Sequence, residues 1–313
     1  MSVLTEYLNR FNLPNYVGEV YVVSPTQTPF LSMIGGLNQG KVSQSIQFPL
    51  GVEYDLPNPT QNDVKSEDEA RTGNTRIGFA PIQTNNVAQV HQEIIEITYA
   101  SLSDYQLQGI AFPNADMPTN KLVQQTNLAL IKVARDIEYS FLNGSFHLAT
   151  SKTDKNKTRG IKEAAVSAGN VVNANNNALS EALLKQLLRQ VFRNGGQFQN
   201  PVIFANAEVK EMISDIWGYA PQDRNIGGLN IKQLETDYGN IGVVLNPFAE
   251  TSTLYLIDVA FCSPVWVPVP DKGLLFREPL SKDGASEKYQ LYGQVGLDYG
   301  SGKFHGVITN IAV

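Results

Sequence analysis

The chain has 313 residues and a formal net charge of −6, and only 17% of its residues are charged, against roughly 25% in ordinary soluble domains. Its 42% hydrophobic content excludes a disordered chain, and the acidic balance excludes the basic bias of a protein built to wrap or read nucleic acid, leaving room only for weak contacts on one face. The single cysteine, Cys262, excludes a disulfide framework or a cysteine-based metal site within one chain.

Asn, Gln, Ser and Thr fill the polar positions instead of charges. That composition suits a surface covered by partners, because charges are depleted at interface cores. The start, Met1 to Glu6, lacks a basic stretch followed by an apolar one, so no secretory leader is predicted. No apolar run approaches the roughly 20 residues of a membrane span. The expectation is a soluble chain made in a cytoplasm.

In chain order, Val3 to Phe11 is compatible with a short amphipathic helix, and Pro14, Pro25 and Pro29 then favour extended backbone. Residues 1–43 read as an arm. From 44 to 54, Ile46, Phe48, Leu50, Val52 and Tyr54 alternate with Ser45, Gln47, Pro49, Gly51 and Glu53, the period of a half-buried strand. Pro49 lacks a donor and predicts an edge or a bulge. A polar, charged stretch follows, strand character returns at Ile77 to Phe79, and it runs again from Val87 to Thr98. Residues 44–97 are therefore expected to form a long β excursion with a charged tip that folds over its own body or projects onto a neighbour.

A long helix is predicted over 120–142, with Thr119 as cap, a stripe of Val123, Leu130, Ala134, Ile137 and Phe141, and a stop at Asn143-Gly144. Residues 179–270 read as an α/β lobe. Ser180 opens a helix bearing Leu183, Leu184, Leu187, Leu188, Val191 and Phe192, closed by Gly195-Gly196. Val202 to Ala205 is a short buried strand, and Asn206 caps a second helix with Val209, Met212, Ile213, Ile216 and Trp217. Tyr219 to Asn230 is expected as a polar loop. Strands are expected at Ile241–Leu245, Leu254–Val259, Val265–Val269, around 289–299, and from Phe304 to the end.

Chemical motifs fail on inspection. Gly300-Ser301-Gly302-Lys303 falls short of a phosphate loop, since position 297 is Leu and position 304 is Phe. His91, His147 and His305 have no paired spacing for a metal. No Gly-x-Ser-x-Gly elbow is present, the carboxylates are dispersed, and Cys262, beside an apolar run, reads as an inert buried thiol. No catalytic, cofactor-binding or metal residue is nominated.

The order of elements, arm, long β loop, lone long helix, α/β lobe and return to β, resembles the Hong Kong phage-type capsid fold of tailed bacteriophages. Local strings agree: Thr28-Pro29-Phe30-Leu31-Ser32-Met33-Ile34-Gly35-Gly36 is similar to the segment ending the arm, and Arg135 to Gly144 to the end of the spine helix. Thr158-Arg159-Gly160-Ile161 is similar to the turn that follows, and Asp237-Tyr238-Gly239 and Leu254 to Asp258 to strands of the central lobe.

The resemblance implies an α+β major capsid protein that assembles into the hexamers and pentamers of an icosahedral shell around double-stranded DNA. It divides the chain into an N-terminal arm (1–43), an extended β loop (44–97), a peripheral domain (98–165) holding the spine helix, an axial domain (166–272) and a C-terminal β segment (273–313) returning to the peripheral domain. The loop tip, with Asp63, Lys65, Glu67, Asp68, Glu69, Arg71 and Arg76, would contact an adjacent subunit. Gln222, Asp223, Arg224 and Asn225 would face the capsomer axis. Some members join subunits by a Lys–Asn isopeptide bond, for which Lys65 is the candidate here. Implied partners are further copies, portal, scaffold and decoration proteins, and packaged DNA through non-specific contact, with no membrane and no cofactor. The implied location is the virion capsid, assembled in the host cytoplasm. An encapsulin-like compartment or an oligomeric enzyme with an unrecognised site are the competing readings.

Overall fold

The computed structural model describes residues 26–37, 39–54, 66–71, 81–99, 121–217, 222–226, 229–282 and 284–313. The first of two large sheets is built on β13 (Ser286–Asp298). β4 (Gln89–Thr98) lies antiparallel along one edge of it, from Gln89 opposite Val295 to Thr98 opposite Ser286. β11 (Ser263–Trp266) and β12 (Leu275–Pro279) share the other edge, and β1 (Lys41–Val42) adds in parallel to β11.

The second sheet runs in the order β5 (Val171–Asn177), β14 (Gly306–Ile311), β10 (Leu254–Asp258), β6 (Pro201–Ala205), β9 (Gly239–Leu245), β8 (Leu229–Thr236) and β7 (Gln222–Ile226). Every position of β6 and β10 is buried, as expected for strands covered on both faces. The period of two sorts them between two cores. Val202, Phe204, Tyr255, Ile257 and Val307 join the core around α3 (Lys121–Asn143). Ile203, Ala205, Leu254, Leu256 and Ile308 join the core under α5 (Glu181–Arg193) and α6 (Ala207–Trp217). The first core also takes Phe30 and Leu31 of α1 (Pro29–Met33) and Leu291, Val295 and Leu297 of β13, so it joins both sheets.

The helices follow their local signals. Ser180 caps α5, its side chain accepting from the Leu183 N–H. At the other end Gly195 has φ +87°, with Gly195 N–H bonded to Phe192 O and Gly196 N–H to Val191 O, the paired bonds of a Schellman stop. α3 ends at Asn143 as expected, for a different reason. Gly144 is absent from the left-handed glycines; a Cβ there would stand 2.3 Å from Ser140 O and 2.6 Å from Thr158 O. The glycine admits the 158–160 turn, whose Gly160 N–H bonds Gly144 O at 2.9 Å.

Several sequence expectations change. Among the described residues β2 (Gln47–Tyr54) pairs with β3 (Pro81–Val87) as a two-stranded hairpin, while β4 pairs with β13 in the first sheet. β11 joins that same sheet, and β14 lies in the other one between β5 and β10. The expected loop at 219–230 contains β7, paired antiparallel with β8. The strand from Leu254 stops at Asp258, where the side chain caps a short 3-10 turn over Val259–Phe261. Part of the charged tip is helical, α2 (Glu67–Arg71). A helix, α4 (Ile161–Ser167), and β5 were not expected. The Val3–Phe11 and Ile77–Phe79 readings lie outside the described residues.

Candidate functional site: a projecting hairpin and the buried joints around it

The β2–β3 hairpin is rooted by side chains at its base. Phe48, Leu50 and Val87 are buried. Gly296 of β13 makes room for Phe48, since a Cβ there would stand 2.7 Å from both Phe48 Cε1 and Val87 O. Asn86 is fully buried and uses both ends of its amide. Its Nδ2 donates to Leu297 O (2.7 Å) and Arg159 O (3.2 Å), and its Oδ1 accepts from Arg159 N–H (2.8 Å) and Val87 N–H (2.9 Å). A buried amide satisfied on both ends fixes orientation strongly, because leaving either end unpaired costs about 1–3 kcal/mol.

Beyond the base the hairpin turns its apolar side chains outward. The register shifts between Pro49 and Val52, the second of the two outcomes, edge or bulge, that Pro49 left open. One extra residue reverses the alternation. Glu53 therefore faces the body and pairs with Lys303 at 3.6 Å, while Val52 and Tyr54 are 51% and 60% exposed. Ile82 on the opposite strand is 50% exposed.

A second joint ties α1 to α3. Glu138 is fully buried. Its carboxylate accepts from Phe30 N–H (2.9 Å), Leu31 N–H (2.7 Å) and Asn246 Nδ2 (2.6 Å). Pro29 occupies the start of α1 and Thr28 gives no side-chain cap, so a residue of the long helix caps α1 instead, filling donors that a helix start leaves free. Asn246 is held in turn by Phe248 N–H on its Oδ1 (2.9 Å). Burial pushes the Glu138 carboxyl up to about 7, against the pull of its three donors. A third joint is Lys41 Nζ on Asp298 at 2.5 Å.

Of the residues nominated from sequence, Glu67, Asp68 and Arg71 are exposed on α2, with Arg71 and Asp68 3.9 Å apart. An ion pair that open is worth little. Glu69 lies in the same helix. Asp63, Lys65 and Arg76 lie outside the described residues, so the isopeptide candidate does too. Gln222, Asp223, Arg224 and Asn225 all lie on β7, an edge strand of the second sheet. The structure brings the two nominated groups to separate elements, and neither includes the joints at Asn86, Glu138 and Asn246. Glu138 carried a readable signal, a carboxylate four residues after Ala134 and one after Ile137 in the apolar stripe. Asn86 and Asn246 carried none.

His91, His305 and Cys262 are buried, and His147 is exposed. His305 is buried, with Nδ1 accepting from Asp258 N–H (3.2 Å) and Nε2 donating to Tyr299 O (2.8 Å). Burial lowers it to about 4, as it does buried His91. Cys262 is buried and its thiol is held up by desolvation. Among the described residues no group of His, Cys, Asp or Glu is placed to hold a metal, and no helix is long and apolar enough to cross a membrane.

This arrangement, two sheets joined by a shared core around a long helix with a two-stranded hairpin rooted on β13, is the Hong Kong phage-type capsid fold, and solved structures share it across nearly their whole length. The Cyanophage A-1(L) capsid asymmetric unit matches with a TM-score of 0.65 at 11% identity, covering 98% of this chain and 99% of that one. The holo-SrpI encapsulin complex from Synechococcus elongatus PCC 7942 matches at 0.57 and 10%, covering 98% and 95%. The capsid of a native GTA particle matches at 0.54 and 12%, covering 100% and 99%. No curated protein matches the chain. A model of the SU10 major capsid protein family matches residues 4–312, and the chain belongs to that family. It is a structural capsid shell protein, and its place is the virion capsid.

Proposed function

We propose that this chain assembles into hexamers and pentamers of an icosahedral shell enclosing double-stranded DNA, with the β2–β3 hairpin lying on the adjacent subunit. One observation carries the reading: the hairpin has two strands among the described residues, is rooted at its base, and turns Val52, Tyr54 and Ile82 to solvent. A two-stranded hairpin is marginally stable alone, and a further surface over its outer face supplies what is missing. Closed shells repeat one contact set, and a crossing element enlarges it toward the roughly 2,000–5,000 Å² of obligate assemblies.

In this reading the sheet of β13 with α3 forms the peripheral domain, and the sheet of β6 and β10 forms the axial domain. The tip residues Glu67, Asp68, Glu69 and Arg71, together with Asp63, Lys65 and Arg76, set register on the neighbour. The β7 residues Gln222 to Asn225 face the capsomer axis. The role is structural, without catalysis. Portal, scaffold and decoration proteins meet the shell from outside this chain, and assembly takes place in the host cytoplasm. An encapsulin-like compartment is the second reading, favoured by the fold shared with the SrpI encapsulin.

Negative-stain microscopy of the purified protein, with nuclease treatment of native particles, separates these. Closed shells holding nuclease-protected DNA are expected. Closed shells holding protein cargo select the compartment, and a chain that stays monomeric in every condition overturns both.

A further inference from the structure

We propose that the loop from His147 to Lys157 is a preformed contact site for the phosphate backbone of double-stranded nucleic acid. The inference rests on the shell reading for its ligand, and on the loop itself for its location.

The chain carries 24 basic and 30 acidic residues. Yet Lys152, Lys155, Lys157, Arg159 and Lys162 fall within eleven positions, accompanied by a single acid, Asp154. Arg159 and Lys162 are engaged, with Glu163 (3.1 Å) and Glu250 (2.6 Å). Lys152, Lys155 and Lys157 are exposed, and none forms an ion pair among the described residues.

The one carboxylate forms no ion pair with them among the described residues. Asp154 turns into the loop, accepting from Thr150 N–H (3.0 Å), Lys155 N–H (2.8 Å) and His147 Nε2 (2.9 Å). These donors hold it down at about 2. Asp154 is thus directed at the loop's own backbone and His147, and three exposed ammonium groups outnumber its one charge.

The loop is also ordered before any ligand arrives. His147 and Lys157 exchange both backbone hydrogen bonds (3.0 and 2.9 Å), and Asn156 Oδ1 accepts from Ala149 N–H at 2.8 Å. Ordering done in advance lowers the entropy lost on binding. Lysines flanked by Ser151, Thr153 and Asn156 are the residue types that contact phosphate oxygens without reading sequence. A point-charge lysine suits that task, which asks for attraction and sliding more than bidentate geometry.

The test is a salt titration. A fluorescent 20-base-pair duplex of mixed sequence is bound to the purified full-length protein between 50 and 200 mM salt. The comparison variant is Lys152→Gln/Lys155→Gln/Lys157→Gln. Three lost phosphate contacts lower the slope of log K against log salt by about 2.7. The contribution they made to affinity changes about 40-fold across that salt range. Arg189→Gln/Arg193→Gln, at two exposed arginines of α5, leaves the slope unchanged. The loop's folding bonds come from Asp154, Asn156 and backbone, so thermal unfolding of the triple variant matches the wild type. Equal slopes for wild type and triple variant overturn the inference. So does an equal fall in the arginine variant, which marks diffuse attraction, and so does loss of particle assembly with duplex binding intact, which marks a protein contact. The presence of nuclease-protected DNA in native particles decides the shell reading separately.

Discussion

Glu138 Oε1 accepts a hydrogen bond from Asn246 Nδ2 at 2.6 Å, across 108 residues of chain, and with it the long helix, the short helix at 29–33 and the end of β9 meet at one buried carboxylate. Removing the donor leaves that carboxylate short of a partner. Asn246→Ala is expected to destabilise the unassembled subunit by about 1–3 kcal/mol, read from denaturant midpoints at pH 8. A change smaller than about 0.5 kcal/mol would mean that water replaces the amide without cost.

The same carboxylate gives a pH dependence with a definite sign. The ordinary value is 4.5 and burial raises it to about 7, so between these values the folded chain binds the extra proton. Its contribution is therefore fully present below about pH 4.5 and lost as pH rises through about 7, on the order of 3 kcal/mol in all. His91 and His305, lowered from 6.5 to about 4 by burial, act in the opposite sense: their contribution is present above about pH 6.5 and lost as pH falls through about 4. Subtracting the stability curve of Glu138→Gln from that of the wild type isolates the first effect. The difference should decline from pH 4.5 to 7, and a difference that is flat over this range refutes the assignment.

Gly296 tests the root of the hairpin. A methyl group there would stand 2.7 Å from Phe48 Cε1 and from Val87 O, one a core ring and the other backbone. Gly296→Ala should cost about 1–3 kcal/mol of subunit stability and lower the yield of particles. A particle yield and melting temperature equal to wild type would show that the hairpin base shifts freely.

The outer face of the hairpin should matter to assembly and not to folding. Val52→Ser/Tyr54→Ser removes apolar surface already open to solvent, so subunit stability should move by no more than about 0.5 kcal/mol. Particle yield should fall at least about tenfold, from the apolar burial lost at each copy of the contact. Charge reversal at Glu67, Asp68 and Glu69 tests the tip in the same assay, and unchanged yield there would confine the contact to the β strands.

The elements most legible in the sequence are those whose signals are local. Ser180 and Gly195-Gly196 bracket α5, and the alternation Tyr289, Leu291, Val295, Leu297 belongs to β13. Pro49 left an edge strand or a bulge open, and the register shift beyond it turns Val52 and Tyr54 outward. The division between hairpin and body was not legible, because only Ala88 separates β3 from β4 and no polar turn marks the change of sheet. β5 was missed because Val171-Val172-Asn173-Ala174-Asn175-Asn176-Asn177 reads as a polar loop; Asn175 and Asn176 are indeed left-handed (φ 53° and 58°), a conformation asparagine tolerates. The buried joints depend on partners 73 to 257 residues away, which no spacing reveals. Glu138, set among Ala134, Ile137 and Phe141, is the exception.

In the proposed shell the hairpin of one copy lies on the next. A cryo-electron microscopy map of assembled particles tests it most directly. A closed icosahedral shell with Val52 and Tyr54 buried against a neighbouring copy is expected; a shell in which the hairpin folds over its own subunit, with both side chains still open to solvent, rules the contact out.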